Sequence, residues 1–124
     1  MSLVPAMRGA VAALALLLAG PVVAQEVISA PGGVLRALDK TSGDALDIEM
    51  TVGQPRQLGR LEIVMSDCRY PSGNPSGNAY ALLEIAETGK EGVIFSGWMI
   101  ASAPALSALE HPRYDVWVIR CTTS

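Results

Sequence analysis

The residues of this chain that could carry out chemistry are concentrated near its C-terminus, where one segment supplies every residue type of a serine-hydrolase triad. They are Ser96, Ser102, Ser107, His111 and Asp115. A working triad also needs a histidine oriented by a carboxylate and a serine beside an oxyanion hole. His111 is the only histidine of the chain, and no Gly-x-Ser-x-Gly elbow surrounds any of these serines. We therefore predict that the protein is not an enzyme and has no catalytic residue, and that His111 caps the last turn of a short helix.

Metal binding has little support in the sequence. The nearest acidic cluster, formed by Asp39, Asp44 and Asp47, lacks the glycine and glutamate spacing of a calcium loop. Cys68 and Cys121 are the only cysteines, and a single histidine does not complete a zinc site with them. We expect no metal and no cofactor, and we interpret the three aspartates as part of a structural turn.

The first 24 residues have the pattern of a cleavable export signal. A single positive charge, Arg8, precedes the purely apolar run 10–19, which ends at Gly20. This run is far shorter than the roughly 20 residues that a membrane-spanning helix needs, which disfavours the alternative of an uncleaved anchor. We predict cleavage after Ala24, and no cysteine lies nearby to carry a lipid anchor.

Export would place Cys68 and Cys121 in an oxidising compartment, where a pair of cysteines can form a disulfide. The 100 residues that remain after cleavage form a domain of marginal stability without a covalent link. Closing the loop between the two cysteines is worth about 4 kcal/mol in the chain-entropy model. A redox-active or metal-binding pair is the alternative, but the Cys-x-x-Cys spacing typical of such pairs is absent. We predict a structural disulfide.

The charge balance argues against two classes of partner. Because Arg8 leaves with the signal, eight basic residues face twelve acidic ones, a formal charge of -4. Binding to phosphate groups needs clustered lysine and arginine, and no basic run is present. Nucleic acid and anionic lipid are therefore not expected as partners.

Apolar residues in the rest of the chain recur mostly with period two, the spacing of half-buried strands. A flexible lead-in is expected over 25–33 and a disulfide-linked β domain over 34–124. Six strands are predicted, over 34–39, 46–52, 61–66, 79–87, 93–100 and 114–121. The fold predicted is mainly β, a small β-sandwich or partly open barrel with one short helix before the last strand.

The loop between the third and fourth predicted strands contains Pro-Ser-Gly-Asn twice in succession, over 71–78. Each copy is typical of a tight turn, and the loop is either a partner-binding element or tolerated surface. In the strand before it, strict alternation would turn Cys68 away from the core. A bulge or bend near Asp67 is needed if the cysteine points inward.

The helix is predicted to begin near Pro104 and to end after about two turns at Pro112. The aromatic residues Phe95, Trp98 and Trp117 have two interpretations. They either form the core or line an apolar ligand pocket, and the core is the interpretation that we adopt.

Several segments of the chain resemble a known family. They are FSGWMIASAPALSALEHP over 95–112, YDVWV over 114–118, Cys121, and earlier LDKTSG over 38–43, VGQP over 52–55, GRLEI over 59–63 and Cys68. In these segments the chain is similar to small exported proteins of Gram-negative bacteria known only as domain of unknown function 2155. The resemblance implies a periplasmic location, but it brings no established activity. It also implies a genomic neighbourhood shared with a small accessory subunit of the respiratory NADH dehydrogenase.

The function that we expect is a non-catalytic periplasmic interaction module, an accessory or assembly factor of an inner-membrane respiratory complex such as NADH dehydrogenase. The alternative is a small β-barrel that binds an apolar ligand in a cavity near Trp98 and Trp117, and an unrecognised enzyme ranks third. The candidate interface is a stretch of small side chains that permits close approach of a protein partner, while Trp98 supports the core. It comprises Ala101, Ser102, Ala103, Pro104 and Ala105.

Overall fold

The alternation of apolar and polar residues produces nine strands and one helical turn in a computed structural model, which describes residues 26–123. The strands are β1 (Val27–Ser29), β2 (Gly32–Asp39), β3 (Ala45–Thr51), β4 (Arg56–Leu58), β5 (Leu61–Pro71), β6 (Tyr80–Glu87), β7 (Val93–Ile100), β8 (Leu109–Glu110) and β9 (Tyr114–Thr122), and the helix is α1 (Pro104–Ser107). The predicted export signal, residues 1–24, lies outside the described residues. Over 26–123 no helix has the length and apolar character needed to span a membrane.

The strands form two antiparallel sheets whose apolar faces enclose one core. In sheet I the strand order is β1-β5-β6-β7, and β4 also pairs with β5. In sheet II the order is β3-β2-β9-β8. Both sheets are open within residues 26–123, and the strands there do not close into a barrel. The prediction of a mainly β fold with a short helix before the last long strand is confirmed, in the form of a sandwich rather than a barrel. The unpredicted strands β1, β4 and β8 are only two or three residues long.

The core is made of large aliphatic and methionine side chains from both sheets that are removed from solvent almost completely. They include Leu35, Leu61, Ile63, Met65, Leu83, Ile85, Met99, Val116 and Val118. Burial of such a side chain contributes roughly 1.5–3 kcal/mol before the cost of ordering the chain is counted. No polar or charged residue is fully buried in the described part of the chain.

Both halves of the disulfide follow a β-bulge. The pairing of β5 with β6 skips one residue after Met65, and the pairing of β9 with β2 skips one residue after Val118. Each extra residue shifts the alternation by one, so that Cys68 and Cys121 face the core instead of solvent. Their Cα atoms lie 5.7 Å apart and the disulfide links sheet I to sheet II. The predicted disulfide and the predicted bulge near Asp67 are both present.

The residues predicted as a flexible lead-in belong to the sheets from Val27 onward. Strand β1 pairs with the end of β5, and the backbone N–H of Ala30 donates to the carbonyl of Cys68 at 2.7 Å. A Cβ at Gly32 would overlap the carbonyl oxygen of Met50 on β3. The glycines at this point therefore serve close backbone approach between strands rather than flexibility.

The helix is shorter than predicted, and His111 does not cap it. Helix α1 is a single turn that ends at Ser107, four residues before His111. Leu109 pairs instead with Val116 of β9 and is buried, whereas Leu106 on the helix is 78% exposed. Pairing with β9 therefore buries Leu109, which was predicted to lie on a second turn of the helix.

Candidate interaction surface

His111 is held by partners at both ring nitrogens. Its Nε2 lies 2.8 Å from Oε1 of Glu87, and its Nδ1 accepts the backbone N–H of Arg113 at 3.0 Å. Because Nδ1 is an acceptor, Nε2 is the ring nitrogen that donates its hydrogen to the carboxylate. No serine contacts His111 among the hydrogen bonds of the described residues, and Asp115 instead lies 3.2 Å from the ammonium of Lys40.

Glu87 completes this cross-sheet contact. Its second carboxylate oxygen lies 2.9 Å from the ammonium of Lys90. The contact with the Lys90 ammonium, followed by the hydrogen bond from His111, lowers the pKa of Glu87 below its ordinary value. Because Glu87 ends β6 in sheet I and His111 precedes β9 in sheet II, the contact joins the two sheets at the end opposite to the disulfide.

The aspartates near the first long hairpin form structural contacts. Asp39 accepts the backbone N–H of Thr41 at 2.9 Å, which is the hydrogen bond of an Asx turn. It also accepts a hydrogen bond from the Arg113 side chain at 3.2 Å. Asp47 accepts two hydrogen bonds from Arg36, at 2.8 and 3.2 Å. In residues 26–123 no three His, Cys, Asp or Glu side chains are grouped so that they could hold a metal ion.

Trp98 lies on the outer face of sheet I and is 38% exposed, so the prediction that it supports the core is wrong. Its neighbour Met99 points into the core, and alternation along β7 turns Trp98 outward. Trp98 borders an open hollow of about 350 Å³ whose walls are almost wholly apolar. The lining residues are Val27, Arg69, Tyr80, Trp98 and Ile100.

Arg69 fixes the position of the indole. Its guanidinium carbon lies 4.9 Å from the centre of the Trp98 ring, within the range of a cation–π contact. Its Nε donates to Oδ2 of Asp67 at 2.7 Å. The contact therefore spans β6 and joins β5 to β7, and Arg69 borders the hollow on the β5 side.

The predicted interface segment follows Ile100 directly, and the last residue of the Pro-Ser-Gly-Asn repeat holds it in place. Asn78 Oδ1 accepts the backbone N–H of Ser102 at 3.0 Å, while its Nδ2 donates to the Ser102 hydroxyl at 2.9 Å and to the Tyr80 hydroxyl at 3.3 Å. The backbone N–H of Ala101 donates to Ala79 at 2.9 Å. Sequence reasoning missed Asn78, for which a turn-forming asparagine beside a strand was the only signal.

The segment 101–105 lies at the surface. Ser102, Pro104 and Ala105 are exposed, and Ala101 and Ala103 are half-buried. We call residues 101–103 together with the hollow the Trp98 surface, because the hydrogen bonds of Asn78 connect Ser102 with Tyr80. Pro104 and Ala105 instead line a second groove, which Trp117 borders.

The second tryptophan lies elsewhere. Trp117 borders a separate open groove of about 270 Å³ beside α1, on the outer side of sheet II. The two tryptophans therefore share no cavity, contrary to the pocket considered in the ligand-binding alternative.

Comparison with known proteins agrees with the resemblance that the sequence suggested. A family model described as an uncharacterized protein conserved in bacteria (DUF2155) matches residues 33–121. An uncharacterized protein of Rickettsia prowazekii (strain Madrid E) is 27% identical over 92 residues, which cover 72% of this chain. The match spans 59% of the length of that relative. No solved structure matches the chain.

Proposed function

The chain belongs to the DUF2155 family of uncharacterized conserved bacterial proteins, and on that premise we propose that it is a non-catalytic, exported interaction module that binds a protein partner through the Trp98 surface. The observation that carries the proposal is the exposed Trp98 bordering an apolar hollow. Tryptophan, tyrosine and arginine are the residue types most enriched at the energetic centres of protein interfaces, and Trp98, Tyr80 and Arg69 occur together here.

The arrangement of polar groups supports the same proposal. Asp67, Arg69, Asn78 and Ser102 lie around the apolar hollow, which matches the apolar centre and polar rim of protein interfaces. The surface is also ordered in advance, because strand pairing and the hydrogen bonds of Asn78 hold its backbone. Binding to a preformed surface loses less conformational entropy than binding to a flexible one.

The shape of the hollow favours a protein side chain over a small ligand. Sites for small molecules usually bury 70–90% of the ligand surface, whereas this hollow is open on the outer face of a sheet. The partner that we propose is an inner-membrane respiratory complex, NADH dehydrogenase being the first candidate, and the protein would act as its accessory or assembly factor in the periplasm. This more specific part rests on the genomic neighbourhood that the family resemblance implies.

Site-specific photocrosslinking tests the proposal. A photoreactive residue in place of Ser102, in cells that express the full chain, should give a crosslinked product that retains membrane proteins after solubilisation. Trp98→Ala and Ala103→Arg should each reduce the yield about tenfold, which corresponds to about 1.4 kcal/mol. Leu46→Ala is the matched control, because Leu46 is an exposed apolar residue of sheet II at 54% exposure.

The possible results separate the parts of the proposal. Equal crosslinking by the wild type, Trp98→Ala and Ala103→Arg would overturn the role of the Trp98 surface. Unfolding by Ala103→Arg alone would show that the segment is core. A crosslinked partner outside the respiratory chain would overturn only the choice of complex.

The predicted export signal has its own test, which is N-terminal sequencing of the exported protein. The mature sequence should begin at Gln25, and retention of Met1 on membrane-bound protein would contradict cleavage.

A further inference from the structure

The hollow of the Trp98 surface is lined by three side chains that can form hydrogen bonds, Arg69, Tyr80 and Trp98. The guanidinium of arginine and the indole of tryptophan are donors only. The Tyr80 hydroxyl can donate or accept, but its oxygen already accepts a hydrogen bond from Nδ2 of Asn78 at 3.3 Å. Its hydrogen is therefore left to donate. The polar side chains of the hollow are thus available to a ligand as donors rather than as acceptors.

The protein itself uses these donors only in part. The guanidinium of Arg69 makes one hydrogen bond within residues 26–123, from its Nε to Oδ2 of Asp67. The contact that Trp98 makes there is through its ring face with Arg69, and its indole N–H forms no hydrogen bond in that part of the chain. A donor that loses water without gaining an acceptor costs free energy. A ligand that covers the hollow must therefore supply acceptors.

The charges around the hollow favour an uncharged acceptor. Oδ2 of Asp67 lies 2.7 Å from Nε of Arg69, so the two charges offset one another. The whole chain has a formal charge of -3, which disfavours the approach of a further anion. A neutral carbonyl group fits these conditions better than a carboxylate does. The backbone of a polypeptide supplies one such carbonyl at every residue.

An ordinary polypeptide segment also brings an N–H group with nearly every carbonyl. Against a surface of donors, these N–H groups would lose water without gaining an acceptor, which weakens binding. Proline has no N–H, and its ring adds an apolar surface that suits the apolar walls of the hollow. We propose that the hollow binds a proline-rich segment of the protein partner in the polyproline II conformation. The inference rests on the proposed function, because it names the class of segment that the Trp98 surface recognises.

The two aromatic rings of the hollow have a spacing that suits such a segment. In the antiparallel pairing of β6 with β7, Tyr80 lies opposite Ile100. Two residues further along β6, Leu82 lies opposite Trp98. Tyr80 and Trp98 are therefore diagonal neighbours on the outer face, about 7–8 Å apart. Prolines two or three positions apart in polyproline II are separated by about 6 or 9 Å, which brackets this distance, and aromatic-lined grooves commonly bind such segments.

A nuclear magnetic resonance titration of the isotope-labelled exported protein with a capped peptide of about ten prolines tests the proposal. The chain has two tryptophans, so two indole N–H signals report on binding in one spectrum. The Trp98 signal is expected to move until saturation with a Kd below about 1 mM. The signal of Trp117, which borders the other groove, should stay in place. A capped Gly-Ser peptide of equal length carries N–H groups and should leave both signals unchanged.

A pair of tyrosine variants tests the role of the donors. Tyr80→Phe keeps the ring but removes the hydroxyl, and should weaken binding of the proline peptide about three- to tenfold. Tyr70→Phe is the matched control, because half-buried Tyr70 packs against the core and is not among the residues that line the hollow. Trp98→Ala should weaken binding at least about tenfold. Thermal melting shows whether each variant is folded, and Tyr80→Phe keeps the test valid if Trp98→Ala is not.

Three results would overturn the proposal. They are a Trp98 signal that does not move at about 1 mM proline peptide, equal binding of the Gly-Ser peptide, and tighter binding of a glutamate-containing peptide, which would assign the hollow to carboxylates. Failure here is distinguishable from failure of the proposed function. A Ser102 photocrosslink that still depends on Trp98, found together with no binding of the proline peptide, would reject only the proline-rich class of segment.

Discussion

The outer faces of the two sheets each carry one tryptophan beside arginine, yet they use these residues differently. On sheet II, Arg36 lies opposite Trp117 and makes two hydrogen bonds to Asp47, and Lys40 pairs with Asp115. On sheet I, Arg69 bonds to a carboxylate on its own strand and its guanidinium covers Trp98.

The two faces differ in how their cations are placed. Arg36 and Lys40 form ion pairs with aspartates of neighbouring strands on sheet II, whereas the cation of sheet I lies against the apolar wall around Trp98, which is open to solvent. Exposed charge pairs contribute little to stability and need no further contact. An exposed apolar hollow, by contrast, gains free energy when another surface covers it.

The disulfide holds the two sheets in one sandwich, and its loss should have the largest effect on stability. Replacing Cys68 and Cys121 together by serine should lower the free energy of unfolding by about 2–5 kcal/mol, because the bond closes a loop between residues 53 positions apart. Urea unfolding of the variant measures the loss. The wild type in a thiol reductant is the control and should show a similar loss, and a change below about 1 kcal/mol would contradict the prediction.

Trp117 and Trp98 should contribute differently to the stability of the fold. Trp117→Ala should cost about 2 kcal/mol of unfolding free energy because Trp117 is half-buried beside α1, and Trp98→Ala only about 1 kcal/mol because its ring is more exposed. Urea unfolding of both variants shows which one loses more free energy of unfolding. A larger loss for Trp98→Ala would mean that Trp98 supports the core after all.

Much of the fold was predictable because it depends on local pattern. Period-two alternation located the six long strands, and the need to bury Cys68 predicted a bulge where one occurs. The orientation of Trp98 was missed because β7 is apolar on both faces, so composition does not tell the inner face from the outer. The inner face of β7 is identified only by the register with β6, which places Met99 opposite buried Ala81.

The remaining errors concern contacts between residues distant in sequence. Strand β1 forms because β5 extends far enough to pair with it, and α1 stops because β9 pairs with Leu109. His111 was assigned to a helix end near it in sequence, but its partner Glu87 lies 24 positions away. Tertiary pairing overrides local propensity at all three places.

The contact between Glu87 and His111 joins the two sheets at the end of the sandwich opposite to the disulfide, and substitution of His111 measures how much it contributes. His111→Gln should lower the free energy of unfolding by no more than about 1 kcal/mol, since an amide can donate to Glu87 in place of the imidazole. His111→Ala, which removes the donor, is the control and should cost more. Loss of an enzymatic turnover on His111→Gln would instead contradict the non-catalytic proposal.

The smallest expected effect concerns the ion pairs of sheet II. The hydrogen bond from Arg36 lowers the pKa of Asp47 below its ordinary value, so the folded state favours the ionised carboxylate. The stability from this pair is therefore fully present above the ordinary pKa of an aspartate, about 3.9, and is lost as the pH falls through the lowered pKa of the folded state.

A double-mutant cycle with Arg36→Gln and Asp47→Asn measures this contribution by urea unfolding. The coupling between the two changes should be small at pH 7, because both side chains are exposed, and should vanish at a pH below the lowered pKa of Asp47. At that pH the wild-type carboxyl is protonated and resembles asparagine. A coupling that persists there would mean that Arg36 and Asp47 interact through packing rather than through charge, and the ion pair would then not distinguish sheet II from sheet I.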